Sequence, residues 1–157
     1  MAPSTILLIR HAEEPDDPDN PDLAEAGQNR AEKLARYLPA TFGKPDFVFA
    51  AAVNKRSARA FLTMRPLCDA IAIPLDATLK AKECAALAAK LLSDAAYAGK
   101  LAVACWTHTE LPALAAALNA RRGEYPTDWD PSVFDLIVRL DYNGTDEPTG
   151  TPIIQPF

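Results

Sequence analysis

Residues Ile6 to Glu14 read I-L-L-I-R-H-A-E-E, and this stretch decides what kind of fold to expect. Four apolar residues run straight into an arginine and a histidine, and Pro15 then opens an acidic, proline-rich segment. An uninterrupted apolar run is the pattern of a strand buried on both faces. In open α/β sheets the ligand crevice lies outside the carboxyl ends of the strands, so Arg10 and His11 stand where chemistry is done.

Outward from that stretch, strand and helix patterns alternate. Thr5 to Ile9 is read as the first strand and Pro15 to Asp22 as a solvated acidic loop. That loop lacks the glycine and the distal glutamate of a calcium-binding loop. Leu23 to Leu38 carries apolar residues at helical spacing and is expected to stop at Pro39. Asp46 to Val53 reads as a second strand that empties into Asn54, Lys55 and Arg56. Ser57 can cap the next helix, which carries Arg59, Ala60, Leu62, Thr63, Leu67 and Ala70 and is interrupted or kinked at Pro66. Ile71 to Leu75 is expected as a short third strand, Ala81 to Ala98 as a helix ended by Gly99, and Leu101 to Trp106 as a fourth strand leading into Thr107, His108, Thr109 and Glu110. Leu111 to Ala120 follows as a helix that tolerates Pro112 in its first turn. Phe134 to Tyr142 alternates partly and is read as a last strand at an edge, with a loop-like tail beyond Asn143. This order predicts a three-layer α/β/α sandwich around a mostly parallel central sheet, formed by residues 1–157 as a single domain.

Composition narrows the function. At 157 residues and 49% hydrophobic, the chain can bury one substantial core. Its net charge of -5 comes with no basic run, which argues against a nucleic-acid partner or an anionic membrane surface. No apolar segment approaches the roughly 20 residues that span a bilayer, and the N-terminus lacks a secretory pattern, so a soluble cytoplasmic protein is expected. Cys68, Cys84 and Cys105 have no metal-like spacing and are expected to be reduced, buried thiols. With His11 and His108 as the two histidines, a zinc site has no local motif.

Three strand ends therefore supply Arg10 and His11, Arg59 one helical turn in, and His108. Arginine offers a planar fork of donors matched to phosphate oxygens and keeps its charge near neutral pH. A neutral imidazole nitrogen can accept a phosphoryl group, provided that its other nitrogen is hydrogen-bonded and the correct tautomer faces the substrate. The remaining cationic groups can then stabilise charge on the equatorial oxygens.

In these residues the chain resembles the histidine phosphatase superfamily, the phosphoglycerate mutase-like group, in its small bacterial form. Arg10-His11-Ala12 stands for the family's Arg-His-Gly, and Leu23, Gly27 and Ala31 for its Leu-x-x-x-Gly-x-x-x-Ala helix start. Arg59, Ala60 and Thr63 stand for Arg-Ala-x-x-Thr, and His108 for the second histidine after an apolar strand. The resemblance spans about Ile6 to Leu118.

It implies a metal-independent phosphomonoesterase of the histidine acid phosphatase type, without a cofactor. His11 would accept the phosphoryl group, and Arg10, Arg59 and His108 would complete the phosphate pocket. A carboxyl must protonate the leaving group; Glu83 is favoured for this, and Glu110, near the substrate, is the alternative. The chain departs from the family at Ala12, at Asn54 to Arg59, which lacks a Ser-Pro pair, and at Thr109 in place of a glycine. A further phosphate ligand would fall at Asp16 and Asp17, whose charge repels phosphate, and stays unassigned. Expected partners are a small phosphorylated substrate or a phosphoprotein. A phosphohistidine-protein phosphatase and a non-catalytic phosphate-binding module are the rival readings. Glu13 and Glu14 are expected to be solvated or paired with an arginine, Lys55 and Arg56 exposed near the pocket mouth, and Trp106 in the core.

Overall fold

A computed structural model describes residues 2–157. The two fully apolar runs become the centre of the sheet. Strand β1 (Thr5–Arg10) pairs in parallel with β4 (Leu101–Trp106), and Ile6 to Ile9 and Ala102 to Cys105 are sealed from solvent. Strand β2 (Phe47–Ala50) lies on the far side of β4 and β3 (Leu75–Asp76) beyond it, both parallel. On the other side of β1 run β5 (Leu136–Asp141) and β6 (Thr149–Ile154), both antiparallel to their inner neighbour, giving the order β3-β2-β4-β1-β5-β6.

Helices α1 (Glu25–Phe42) and α2 (Arg59–Ile71) connect strands progressing toward β3, whereas α3 (Cys84–Ser93) connects strands progressing the opposite way. Right-handed crossovers therefore place the first pair on one face of the sheet and α3 on the other. Helix α4 (Leu111–Ala117) packs on α3, and α1 packs on α2. The three-layer expectation is met, with four parallel strands and an antiparallel pair.

Several boundaries differ from expectation, each for a local reason. Helix α1 runs through Pro39 and ends at Gly43, whose positive φ of 92° lets its N–H return to the Pro39 carbonyl at 3.1 Å. Helix α2 continues through Pro66 to Ile71, and Ala72 turns the chain at φ 56°, so the third strand shrinks from Ile71–Leu75 to two residues. The expected helix over Ala81 to Ala98 is confined to α3 and followed by one 3-10 turn at Ala95–Tyr97, because the Asp94 side chain accepts the Ala96 N–H and restarts the chain there. The last strand is not an edge: β5 lies between β1 and β6, and the tail expected as loop supplies the edge strand. Asn143 and Gly144, both with positive φ, make the reversal between them.

Candidate active site

The site lies at the carboxyl ends of β1 and β4. Arg10 is opposite Trp106 in the last register pair, and the His11 N–H continues the ladder to the Trp106 carbonyl at 3.1 Å. The chain then turns under α1 and α2. The Ala12 N–H donates to the Thr63 hydroxyl at 2.9 Å, and that hydroxyl donates to the Arg59 carbonyl at 2.7 Å. Thr63 thus ties the loop that follows His11 to the first turn of α2. The methyl of Ala12 is buried with Leu23, Ala31 and Leu62, so it packs under the loop.

Glycine at position 27 is required by the same loop. A Cβ there would fall 2.3 Å from the Glu13 carbonyl oxygen. The Ala24 N–H also donates to that carbonyl at 2.9 Å, and Arg30 holds the Glu13 carboxylate through two hydrogen bonds of 2.8 and 3.1 Å. Glu13 is thereby paired with an arginine, as the sequence leads one to expect.

His11 is 4% exposed, and its Nδ1 lies 2.8 Å from the Ala12 carbonyl. A carbonyl can only accept, so Nδ1 carries the proton and the Nε2 lone pair is left over. Burial lowers the His11 pKa from the ordinary 6.5 to about 4; the Ala12 carbonyl opposes this, and Arg10 and Arg59 add to it. The ring is neutral at neutral pH.

Arg10 is 1% exposed, and burial lowers its pKa, opposed by Glu14 and Glu13. Its Nη1 donates to the carbonyls of Pro131 and, at 3.3 Å, Val133, while the Phe134 ring lies over the guanidinium at 3.9 Å. Phe134 is also 6.3 Å from the His11 ring. Nε and Nη2 of Arg10 have no hydrogen-bond partner among the described residues. Two buried donors without acceptors on a cation are a costly arrangement unless an anion comes to them.

Arg59 reaches the same place from α2. Its Nη2 donates to the Asn20 carbonyl at 2.6 Å and its Nε to the Asp22 carbonyl at 3.2 Å, which fixes the end of the acidic loop. Its Nη1 lies 3.4 Å from Glu14. His108 is half-buried in the turn after β4; burial and then Arg10 lower its pKa, while Glu14 and Asp128 raise it. Arg10, His11, Arg59 and Glu14 thus converge, with His108 within electrostatic reach of Arg10.

Glu83 and Glu110 are differently placed. Glu83 is exposed, and its Oε1 accepts the Lys80 N–H at 2.9 Å. Glu110 is half-buried at the start of α4, where its charge acts on the Cys84 thiol. Lys55 and Arg56 are exposed, and Trp106 is buried with its indole N–H bonded to the Ala81 carbonyl, so it belongs to the core. All three cysteines are buried and unpaired. Among the described residues no group of three or more His, Cys, Asp or Glu is arranged to hold a metal ion, and no helix is long and apolar enough to cross a membrane.

Sequence reasoning missed the cover over Arg10. Phe134 was expected to open the last strand, but that strand begins at Leu136 and Phe134 belongs to the preceding loop. The signal was the cluster Trp129, Pro131 and Phe134 in an otherwise polar segment. Trp129 is buried with its indole N–H on the Val133 carbonyl, and Asp130 accepts the Ser132 N–H and hydroxyl, which shapes the loop.

No protein-family model matches the sequence, and no curated protein matches it. Solved structures match nearly the whole chain. The protein histidine phosphatase SixA complexed with tungstate is 14% identical, with a TM-score of 0.66 and 96% of each chain covered. The mycobacterial glucosyl-3-phosphoglycerate phosphatase with inorganic phosphate is 13% identical, with a TM-score of 0.63, covering 98% of this chain and 97% of that one. The phosphoglycerate mutase of Plasmodium falciparum is 14% identical, with a TM-score of 0.58, covering 98% and 89%. At such identities the likeness is one of fold: the chain has the phosphoglycerate mutase-like fold of the histidine phosphatases.

Proposed function

We propose that this chain is a metal-independent phosphatase that works through a phosphohistidine on His11. The observation that carries the reading is the pairing of a neutral His11, with its Nε2 lone pair unused, and a buried Arg10 with two donors unused. Arg10 and Arg59 take the phosphoryl oxygens, and their fixed charges meet the charge that spreads over those oxygens as phosphorus changes hands. His108 completes the pocket. Its lowered pKa suits a neutral ring that donates one hydrogen bond.

The likeness to a protein histidine phosphatase over 96% of both chains supports a phosphoprotein, and a phosphohistidine protein in particular, as one substrate class; a small phosphate monoester is the other. The test is hydrolysis of an aryl phosphate with EDTA present, beside His11→Ala. Turnover by the wild type and its loss, on the order of a thousandfold or more, in His11→Ala is expected. Activity that depends on added metal would sink the mechanism, and equal activity in the variant would sink His11. Phosphate or vanadate binding without turnover would instead support a binding module.

A further inference from the structure

The carboxylate of Glu14 stands between the two arginines. One oxygen is 3.7 Å from Nη2 of Arg10 and the other is 3.4 Å from Nη1 of Arg59. Among the described residues, the ion pairs to these two arginines both come from Glu14. Its charge acts on Arg10, His11 and His108 alike. The side chain is 41% exposed, so it can swing without disturbing the core. The Arg10 contact is too long for a hydrogen bond, which is why Nη2 still lacks a partner.

In the unliganded protein Glu14 therefore occupies the place a phosphoryl group needs. A phosphate dianion takes that place because charge-assisted bonds from two guanidinium groups are shorter and stronger than ion pairs of 3.4 and 3.7 Å. The displaced carboxylate stays beside the phosphoryl group it has made way for, three residues along the chain from His11. Among the described residues, neither Glu83 nor Glu110 forms an ion pair with these arginines: Glu83 accepts the Lys80 N–H, and the charge of Glu110 acts on Cys84.

We propose that Glu14 exchanges places with the substrate phosphoryl group and serves as the proton donor and acceptor of the reaction. This rests on His11 being the nucleophile. As the Nε2 lone pair forms the N–P bond, the P–O bond to the leaving group breaks, and the Glu14 carboxyl gives its proton to the departing oxygen, which leaves as an alcohol. Water then attacks phosphorus, the N–P bond breaks with its electron pair returning to Nε2, and the Glu14 carboxylate takes the water proton. Glu14 takes one proton from solvent when the substrate displaces it, gives it to the leaving group, regains one from water, and returns it to solvent when phosphate leaves and the arginine pair is vacant again. The consequence is a substrate class: alkyl phosphate esters, whose poor leaving groups require a proton, come within reach of this site.

The test is kcat/KM for aryl and alkyl phosphates over a range of leaving-group pKa, in the wild type, Glu14→Gln, Glu83→Gln and Glu110→Gln. Glu14→Gln is expected to steepen the dependence and lower the alkyl-to-aryl ratio by roughly a hundredfold, the ordinary reach of general acid catalysis. Formate is expected to restore part of the alkyl rate to Glu14→Ala, which a folding defect would not allow. An unchanged slope in Glu14→Gln overturns the proposal, whether rates rise, as for a carboxylate that merely competes with phosphate, or fall. A steepened slope in Glu83→Gln or Glu110→Gln instead also overturns it. Failure of the His11 reading looks different: His11→Ala keeps the wild-type rate, or the wild type turns over no phosphate ester at all.

Discussion

The Nδ1 nitrogen of His11 lies 2.8 Å from the carbonyl oxygen of the next residue, Ala12, so the backbone of the same turn selects the tautomer that leaves Nε2 free. No second side chain is needed to orient the ring. The carbonyl can only favour the protonated state of Nδ1, and burial outweighs it in holding the ring neutral.

That balance makes a stability prediction. The unfolded chain binds a proton at His11 near the ordinary 6.5, whereas the folded chain refuses it until about 4. Between those values the unfolded state holds more protons, so stability falls as pH drops from about 6.5 to about 4 and is independent of this residue above that window. A shift of this size is worth on the order of 3 kcal/mol. Urea unfolding between pH 4 and 7 is expected to show a flatter profile in His11→Asn than in the wild type. Parallel profiles would exclude the buried neutral ring.

Thr63 is a second, independent handle. Its hydroxyl is the acceptor for the Ala12 N–H and a donor to Arg59, and the residue is fully buried. Thr63→Val keeps the shape and leaves the Ala12 N–H unpaired, whereas the Arg59 carbonyl keeps the Thr63 N–H within α2, at a cost of about 1 to 3 kcal/mol. Chemical denaturation is expected to show this loss together with a lower kcat, because the His11 turn and Arg59 are no longer tied. Thr63→Ser is expected to recover both.

Gly27→Ala tests how closely α1 must approach the loop after His11. The added methyl meets the Glu13 backbone, which cannot give way as a flexible side chain would. The clash is expected to cost about 1 to 3 kcal/mol. It also shifts Glu13 and Glu14, so kcat/KM is expected to fall with stability; a variant with wild-type stability would contradict the contact.

Phe134→Ala removes the ring that covers the Arg10 guanidinium at 3.9 Å. Water then reaches Arg10 and screens its charge. Inhibition by inorganic phosphate is expected to weaken on the order of tenfold, from a stacking contribution of about 1 to 2 kcal/mol. Phe134→Tyr, which keeps the ring face, is expected to bind phosphate as the wild type does.

What the sequence determined by itself was local. The apolar runs of β1 and β4 are long enough, and bounded sharply enough by charge, to be read as buried strands, and they carry Arg10, His11 and His108 to one sheet edge with Arg59 one turn into the next helix. Motif order then suggested the fold. Where local patterns were ambiguous, as in the alternating Ala and Ile between Ala70 and Ile73, helix and strand could not be told apart from periodicity, and the helix prevailed. Tertiary structure alone decided that β5 is internal and β6 is the edge, because strand neighbours are chosen by register across the sheet rather than by local propensity. It alone brought Pro131, Val133 and Phe134 onto Arg10 across more than 120 residues of chain. It also placed the carboxylate of Glu14, which the sequence could assign only to solvent or to an unspecified arginine, between Arg10 and Arg59. For these last two the physical reason is shared: the buried guanidinium of Arg10 takes whichever partners the packed fold presents, and only the fold specifies which ones those are.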